Sequence, residues 1–130
     1  MTYAEIYSVA LAAGFPRLEA AVMTAIAMRE SGGDPCALNE VPPDKSYGLW
    51  QINLLSPAVA EMVEKAMPGT IAYPTKLFKP ALNARAAATL WCGHNHNLNV
   101  AWAINRPGYK ERYEAHLPGA IAAAIAAGIQ

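Results

Sequence analysis

Glu30 is the acid whose placement in this chain suggests proton transfer. Leu18, Val22, Ile26 and Glu30 follow one another at spacings of four, so a helix over residues 17 to 31 carries an apolar stripe facing the core that ends in a carboxyl group. Gly32-Gly33 stops that helix and leaves Glu30 in the last turn, where the negative end of the helix dipole opposes a carboxylate. Partial burial and the dipole both disfavour the ionised form. The reading therefore predicts a carboxyl proton held toward neutral pH, as a general acid requires. A solvated glutamate at a frayed helix end is the alternative that position alone leaves open.

The residues that follow carry a pattern. Glu30-Ser-Gly, then Ala37-Leu-Asn39, then Ser46-Tyr-Gly-Leu-Trp-Gln-Ile-Asn53 resembles the active-site half of the lysozyme-like superfamily, in particular the soluble lytic transglycosylases, with goose-type and chicken-type lysozymes more distant. Leu77-Phe-Lys-Pro80 with Asn83-Ala-Arg-Ala-Ala87 is similar to the next segment of that family, and Trp102 through Tyr109 takes the place of its last motif. The resemblance spans about residues 15 to 117. It implies a lysozyme-like fold that cleaves the β-1,4 bond between N-acetylmuramic acid and N-acetylglucosamine in peptidoglycan glycan strands, with no metal and no cofactor.

Glycoside cleavage usually takes one group to protonate the leaving oxygen and a second to manage the positive charge at the sugar carbon. The chain has only two aspartates, Asp34 and Asp44, and where chicken-type lysozymes carry an aspartate before Tyr-Gly it has Ser46. The resemblance then implies transglycosylase chemistry: Glu30 acts first as acid and afterwards as base toward the substrate's own C6 hydroxyl, closing a 1,6-anhydro ring. Asp44, two residues before Ser46, keeps a second outcome open, in which it positions a water and the enzyme is a muramidase-type hydrolase. A non-catalytic glycan-binding or structural module of a phage tail or secretion apparatus is the reading from another class.

Further contacts follow from the same motifs. Gln51 and Asn53 are amides suited to sugar hydroxyls and acetamido groups, and a cap on the turn into the next helix is the other reading of Asn53. Ser31 matches the serine that follows the acid, and a hydroxyl bonded to its own helix backbone is the other reading. Trp50, Trp102, Tyr47 and Tyr109 offer aromatic faces to sugar rings or fill core, with Tyr109 preferred as the sugar contact because the closing motif places a tyrosine near the cleft, and Tyr47 second. Asn83 is expected to tie a helix start to the loop before it.

Elements able to position these groups are legible in the rest of the chain. The 130 residues suffice for a single domain with a real core, and 54% hydrophobic against 15% charged residues is a globular balance rich in helix-favouring alanine. Thr2 with Glu5 forms a capping box for a first helix to about residue 13, and Pro16 opens the second. Residues 32 to 46, rich in glycine and proline, make a loop or irregular hairpin, and Tyr47 to Leu54 begins as a short strand. Ser56-Pro57 starts a helix that Pro68-Gly69 ends. Another runs from Pro80 or Leu82 to Cys92, a short piece spans Val100 to Ile104, a segment spans Tyr109 to Leu117, and an alanine helix follows a break at Pro118-Gly119. The sum is a mainly α lysozyme-like domain of about six to eight helices with a small irregular β segment beside the cleft.

Composition also excludes partners. Ten basic and ten acidic side chains balance, with no basic cluster longer than two, so nucleic acid is not expected. No apolar run approaches the roughly 20 residues of a membrane helix, and Glu5 within the first apolar stretch argues against a cleavable signal peptide. A monomer acting on the cell wall is expected, delivered by a phage particle, a lysis system or a larger parent protein. Cys36 and Cys92 form either a disulfide or two buried thiols. Cys92-Gly-His94-Asn-His96 lacks the spacing of a structural zinc site and reads as a polar loop.

Overall fold

The computed structural model describes residues 1–129. It contains seven α-helices among the described residues: α1 Tyr3–Ala12, α2 Arg17–Ser31, α3 Pro57–Ala66, α4 Pro80–Gly93, α5 Leu98–Trp102, α6 Tyr109–Glu114 and α7 Leu117–Ile129, with a 3-10 turn at Pro74–Phe78 between α3 and α4. Three two-residue strands, β1 Leu38–Asn39, β2 Ser46–Tyr47 and β3 Ile52–Asn53, form an antiparallel sheet in the order β1-β2-β3. The architecture is mainly α with a small β segment, as the sequence implies.

Helix ends follow local chemistry. The Thr2 hydroxyl accepts from the Glu5 N–H while the Glu5 carboxylate accepts from the Thr2 N–H, the capping box read from sequence. Ser56 caps α3 with Pro57 in its first turn, and Pro80 occupies the same kind of position in α4, where a missing N–H costs nothing. α2 closes on Gly32 at φ 63°, whose N–H returns to the Met28 carbonyl.

α2 is the central element. Ala20, Ala21, Met23, Thr24, Ala25, Ile26 and Ala27 are all buried, so its middle is enclosed on every side rather than along a stripe. Small alanines allow that enclosure, because α1 and α7 both pack against this helix. The four-residue spacing that leads to Glu30 therefore begins outside the core: Leu18 is 72% exposed, Val22 is half-buried and only Ile26 is fully enclosed. One contiguous apolar cluster joins α1, α2, the β segment, α3, α4 and Trp102 of α5.

Other boundaries depart from expectation. The short piece expected over Val100 to Ile104 forms two residues earlier as α5, and stops where Ala103 adopts φ 51°. α6 ends at Glu114, short of Leu117. Pro118-Gly119 does not break a helix but lies in the first turn of α7, where proline lacks only an N–H that has no intrahelical partner. Gly119 is required there for closeness: a Cβ on it would lie 2.6 Å from a carbon of the Tyr3 ring. Cys36 and Cys92 are free and exposed, neither bridged nor buried.

Candidate active site

The sheet register explains which motif residues meet. Asn39 pairs with Ser46, and Ser46 with Asn53, giving one polar row across the three strands; Leu38, Tyr47 and Ile52 form the neighbouring row. Side chains alternate faces along a strand. The polar row lines a cavity of about 310 Å³, whose other walls include Glu30 and Arg29 from α2, Trp102 from α5, Arg106 and Tyr109. Asp44 and Gln51 also line it.

Of the residues singled out from sequence, Glu30, Ser46, Gln51, Asn53, Trp102 and Tyr109 share this cavity. Tyr47 and Ser31 do not line it. Tyr47 is 4% exposed and packs its ring 5.7 Å from that of Phe78; standing next to Ser46 on β2, it must point to the other face, into the core. The Ser31 hydroxyl donates to the Ala27 carbonyl at 2.9 Å and accepts from the Gly33 N–H, the helix-end role.

The turn carrying Gln51 is pinned by Asn83, which is fully buried at the start of α4. Its Oδ1 accepts from the Trp50 N–H at 2.9 Å, and its Nδ2 donates to the carbonyls of Tyr47 at 2.8 Å and Leu77 at 2.9 Å. The expected tie between a helix start and the preceding loop is present, and it reaches the cleft turn as well. Gly48 at φ 76° lets the turn lie against this amide; a Cβ there would collide with Asn83 and the Leu77 carbonyl.

Gln51 itself sits at φ 48°, a conformation that costs a non-glycine residue about 1 kcal/mol or more. Its Nε2 donates to the carbonyls of Ala37 at 3.2 Å and Gly48 at 2.9 Å. What the side chain offers the cavity is consequently its carbonyl oxygen, an acceptor for a sugar hydroxyl or an acetamido N–H. Asn53 is committed to the loop: Oδ1 accepts from the N–H groups of Lys45 and Leu55, and Nδ2 donates to Asp44 Oδ1 at 3.0 Å. That bond holds Asp44 at the cavity wall.

A chain of bonds connects this turn to the acid. The fully buried Trp50 donates its indole N–H to the Met23 carbonyl of α2 at 2.8 Å, and its own carbonyl accepts from the Trp102 indole at 3.1 Å. Trp102 is 8% exposed, so it is wall rather than open platform. The Trp102 carbonyl in turn accepts from Arg29, whose Nη2 also pairs with Glu30 Oε1. The Glu30 side chain is 21% exposed and that of Arg29 only 4%. Burial is the largest influence on the Arg29 guanidinium and lowers its proton affinity from the ordinary value, Arg112 adds to that, and Tyr109 opposes it.

Arg29, Asn39 and Arg106 were not singled out from sequence as site residues. Asn39 was detectable in principle, since it lies within one of the quoted motifs and pairs with Ser46. Arg106 was visible only as part of a turn. Arg29 had no signal: adjacent helix positions do not face each other, and its direction is set by Trp102 and Tyr109, far along the chain. Of the Cys92-x-His94-x-His96 run, His96 lies stacked on the Trp91 ring, with centroids 3.9 Å apart and 17° between planes.

A family model described as "Lysozyme like domain" matches residues 7–103, most of the chain. The chain belongs to the lysozyme-like domain family. Membership supports a peptidoglycan-related glycosidase or transglycosylase activity in general terms. The matched segment contains Glu30, the whole β segment and Asn83, whereas Arg106 and Tyr109 lie beyond it and reach the cavity through the fold. Comparisons with curated proteins and with solved structures found no match. Among the described residues no helix is long and apolar enough to cross a membrane.

Proposed function

We propose that this lysozyme-like chain cleaves the β-1,4 bond between N-acetylmuramic acid and N-acetylglucosamine as a lytic transglycosylase. The observation that carries the reading is the placement of Glu30, a partly buried carboxyl group in a cavity it shares with Gln51, Asn53 and Tyr109.

The chemistry runs in two steps. Glu30 donates its proton to the glycosidic oxygen as the bond to muramoyl C1 breaks, and the leaving N-acetylglucosamine departs with a free 4-hydroxyl. The muramoyl acetamido oxygen holds the positive charge at C1 in the interval. The Glu30 carboxylate then takes the proton of the C6 hydroxyl while that oxygen bonds to C1, giving the 1,6-anhydro ring and restoring the acid. No second carboxylate is needed. Gln51, with its carbonyl free of backbone bonds, orients the acetamido N–H or a hydroxyl of the bound strand.

Asp44 favours a second reading, hydrolysis. It faces the same cavity and is held by the Asn53 amide, which suits a carboxylate that activates water across the ring from the acid. Mass analysis of muropeptides from digested cell wall separates the two. Anhydro-muramoyl ends, lighter by one water than ordinary reducing ends, support the transglycosylase; ordinary reducing ends that disappear in Asp44→Asn support the hydrolase. Glu30→Gln is expected to lose about 10²–10⁴-fold in rate under either chemistry. A Glu30→Gln protein as active as the parent, or a parent that binds glycan without releasing any, returns the chain to a non-catalytic module.

A further inference from the structure

Arg29 carries a charge that is almost fully enclosed beside Glu30. Its side chain is 4% exposed, and its Nε and Nη1 are buried with no hydrogen-bond partner among the described residues. Its Nη2 meets two acceptors, the Glu30 carboxylate and the Trp102 carbonyl, the latter at 3.3 Å. The guanidinium carbon lies 4.5 Å from the centre of the Tyr109 ring, within cation–π range. Three elements, α2, α5 and α6, thus converge on one planar cation beside the acid.

Sequence adjacency does not produce this contact. Residues 29 and 30 leave a helix in directions about 100° apart, and the guanidinium that reaches Glu30 is held at the same time by the Trp102 carbonyl and the Tyr109 ring. A buried cation needs an anionic or dipolar partner, and the two acceptors it has are the catalytic candidate and a carbonyl of the cleft wall.

From this geometry we infer that Arg29 is a positioning residue for Glu30, holding the carboxyl group in the cleft and stabilising its ionised form, so that Arg29 sets the pH range over which the acid works. The inference rests on the reading of Glu30 as the proton donor. Other charged groups around Glu30 are Asp44 before β2, which acts in the opposite direction, and Arg106 between α5 and α6, which acts in the same direction. Tyr109 of α6 lies against the Arg29 guanidinium, and Arg112 stands behind it with its guanidinium carbon 5.9 Å from the ring centre. Arg29 alone among them touches the carboxylate.

A general acid works in its protonated form, so the rate falls as pH rises through the acid's titration. A cation in contact stabilises the carboxylate and moves that falling limb to lower pH. Removing it moves the limb up.

The test compares the parent, Arg29→Met and Arg29→Lys by two readouts. One is the pH profile of kcat/KM on glycan strands. The other is the NMR titration of the Glu30 side-chain carboxyl carbon without substrate, assigned by its loss in Glu30→Gln. Arg29→Met is expected to raise both the NMR midpoint and the falling limb by about one pH unit, the low end of the range for a contacting charge because Glu30 is partly exposed. Arg29→Lys keeps the charge but not the planar guanidinium that lies over Tyr109 while its Nη2 meets both Glu30 and Trp102, so its limb stays near the parent's while kcat falls. An Arg29→Met protein that folds, by near-UV dichroism, with both readouts at the parent's values overturns the inference, as does a moved NMR midpoint with an unmoved limb. Should Arg29→Met not fold, Arg29→Lys decides, and a parental kcat in it overturns the inference. Absence of cleavage by the parent refutes the transglycosylase and hydrolase readings instead, and the NMR midpoint still reports whether Arg29 governs Glu30.

Discussion

At the scale of single residues, the site depends on polar groups that are either fully paired or deliberately exposed to the cavity. Asn83 illustrates the first kind. It is completely enclosed, and its amide satisfies one N–H and two carbonyls of Trp50, Tyr47 and Leu77, residues that are themselves buried. Asn83→Ala strands all three, and a buried unpaired polar group costs about 1–3 kcal/mol. We expect a loss of about 3–5 kcal/mol in urea unfolding, close to the largest values seen for single substitutions. Because the Trp50 N–H released by that change belongs to the turn holding Gln51, glycan cleavage should fall even at temperatures where the variant remains folded. Gln51 shows the second kind, with its nitrogen bound to backbone and its oxygen left for a ligand. Glu30 was recognisable from its place at the end of α2 and before Ser-Gly. Its partnership with Arg29 was not, since that depends on where two residues some 70 to 80 positions later come to lie.

At the scale of elements, carboxylates that accept backbone N–H groups hold the loops around the helices. Glu64 near the end of α3 accepts from Gly69 N–H at 2.5 Å and Ile71 N–H at 2.9 Å, closing the turn that follows the helix. Those bonds, Ile71 first, hold its proton affinity below the ordinary value of 4.5. A carboxyl group whose folded-state value is depressed contributes stability that is complete above its unfolded value and is lost as pH falls through the folded one. Thermal melts should therefore show Glu64→Gln less stable than the parent at neutral pH, with the gap closing as pH falls below 4.5. A gap that is constant with pH would mean the bonds to Gly69 and Ile71 do not depend on the charge. Glu5 and Glu111 are shifted in the same direction by comparable bonds at the starts of α1 and α6, so acid should loosen several turns together. Caps and prolines made most of these boundaries readable in the sequence, whereas the ends of α5 and α6 were not, because they are decided by packing around the cleft.

At the scale of the whole molecule, α7 lies outside the segment matched to the family and packs on both α1 and α2. The contact is close: Gly119 lies under the Tyr3 ring, Tyr3 also bonds His116 at 2.8 Å, and Ala120 is fully buried. Gly119→Val places carbon where the ring stands, and overpacking of that kind costs about 1–3 kcal/mol. Combining it with Tyr3→Ala opens the space, so the double variant should be less destabilised than the two single changes add up to. Additive losses would show that the two residues do not share one contact. Since α2 carries Glu30 at its far end, the same cycle followed by activity tests whether the α7 clamp reaches the cleft.

Periodicity, caps, glycine stops and the Glu-Ser-Gly and Gly-Leu-Trp-Gln-Ile-Asn motifs were local properties; they determined the helical class and the family, and they pointed to Glu30 as the candidate acid. Local rules cannot state which face of a strand a residue takes until its partners are known, and so they left Tyr47 beside Ser46 as an equal candidate for the cleft. Only the three-strand register sent Ser46 and Asn53 to the cavity and Tyr47 to the core. The electrostatic setting of Glu30 was likewise a tertiary decision, because the cation against it is directed by Trp102 and Tyr109, residues brought beside α2 by the folded chain alone.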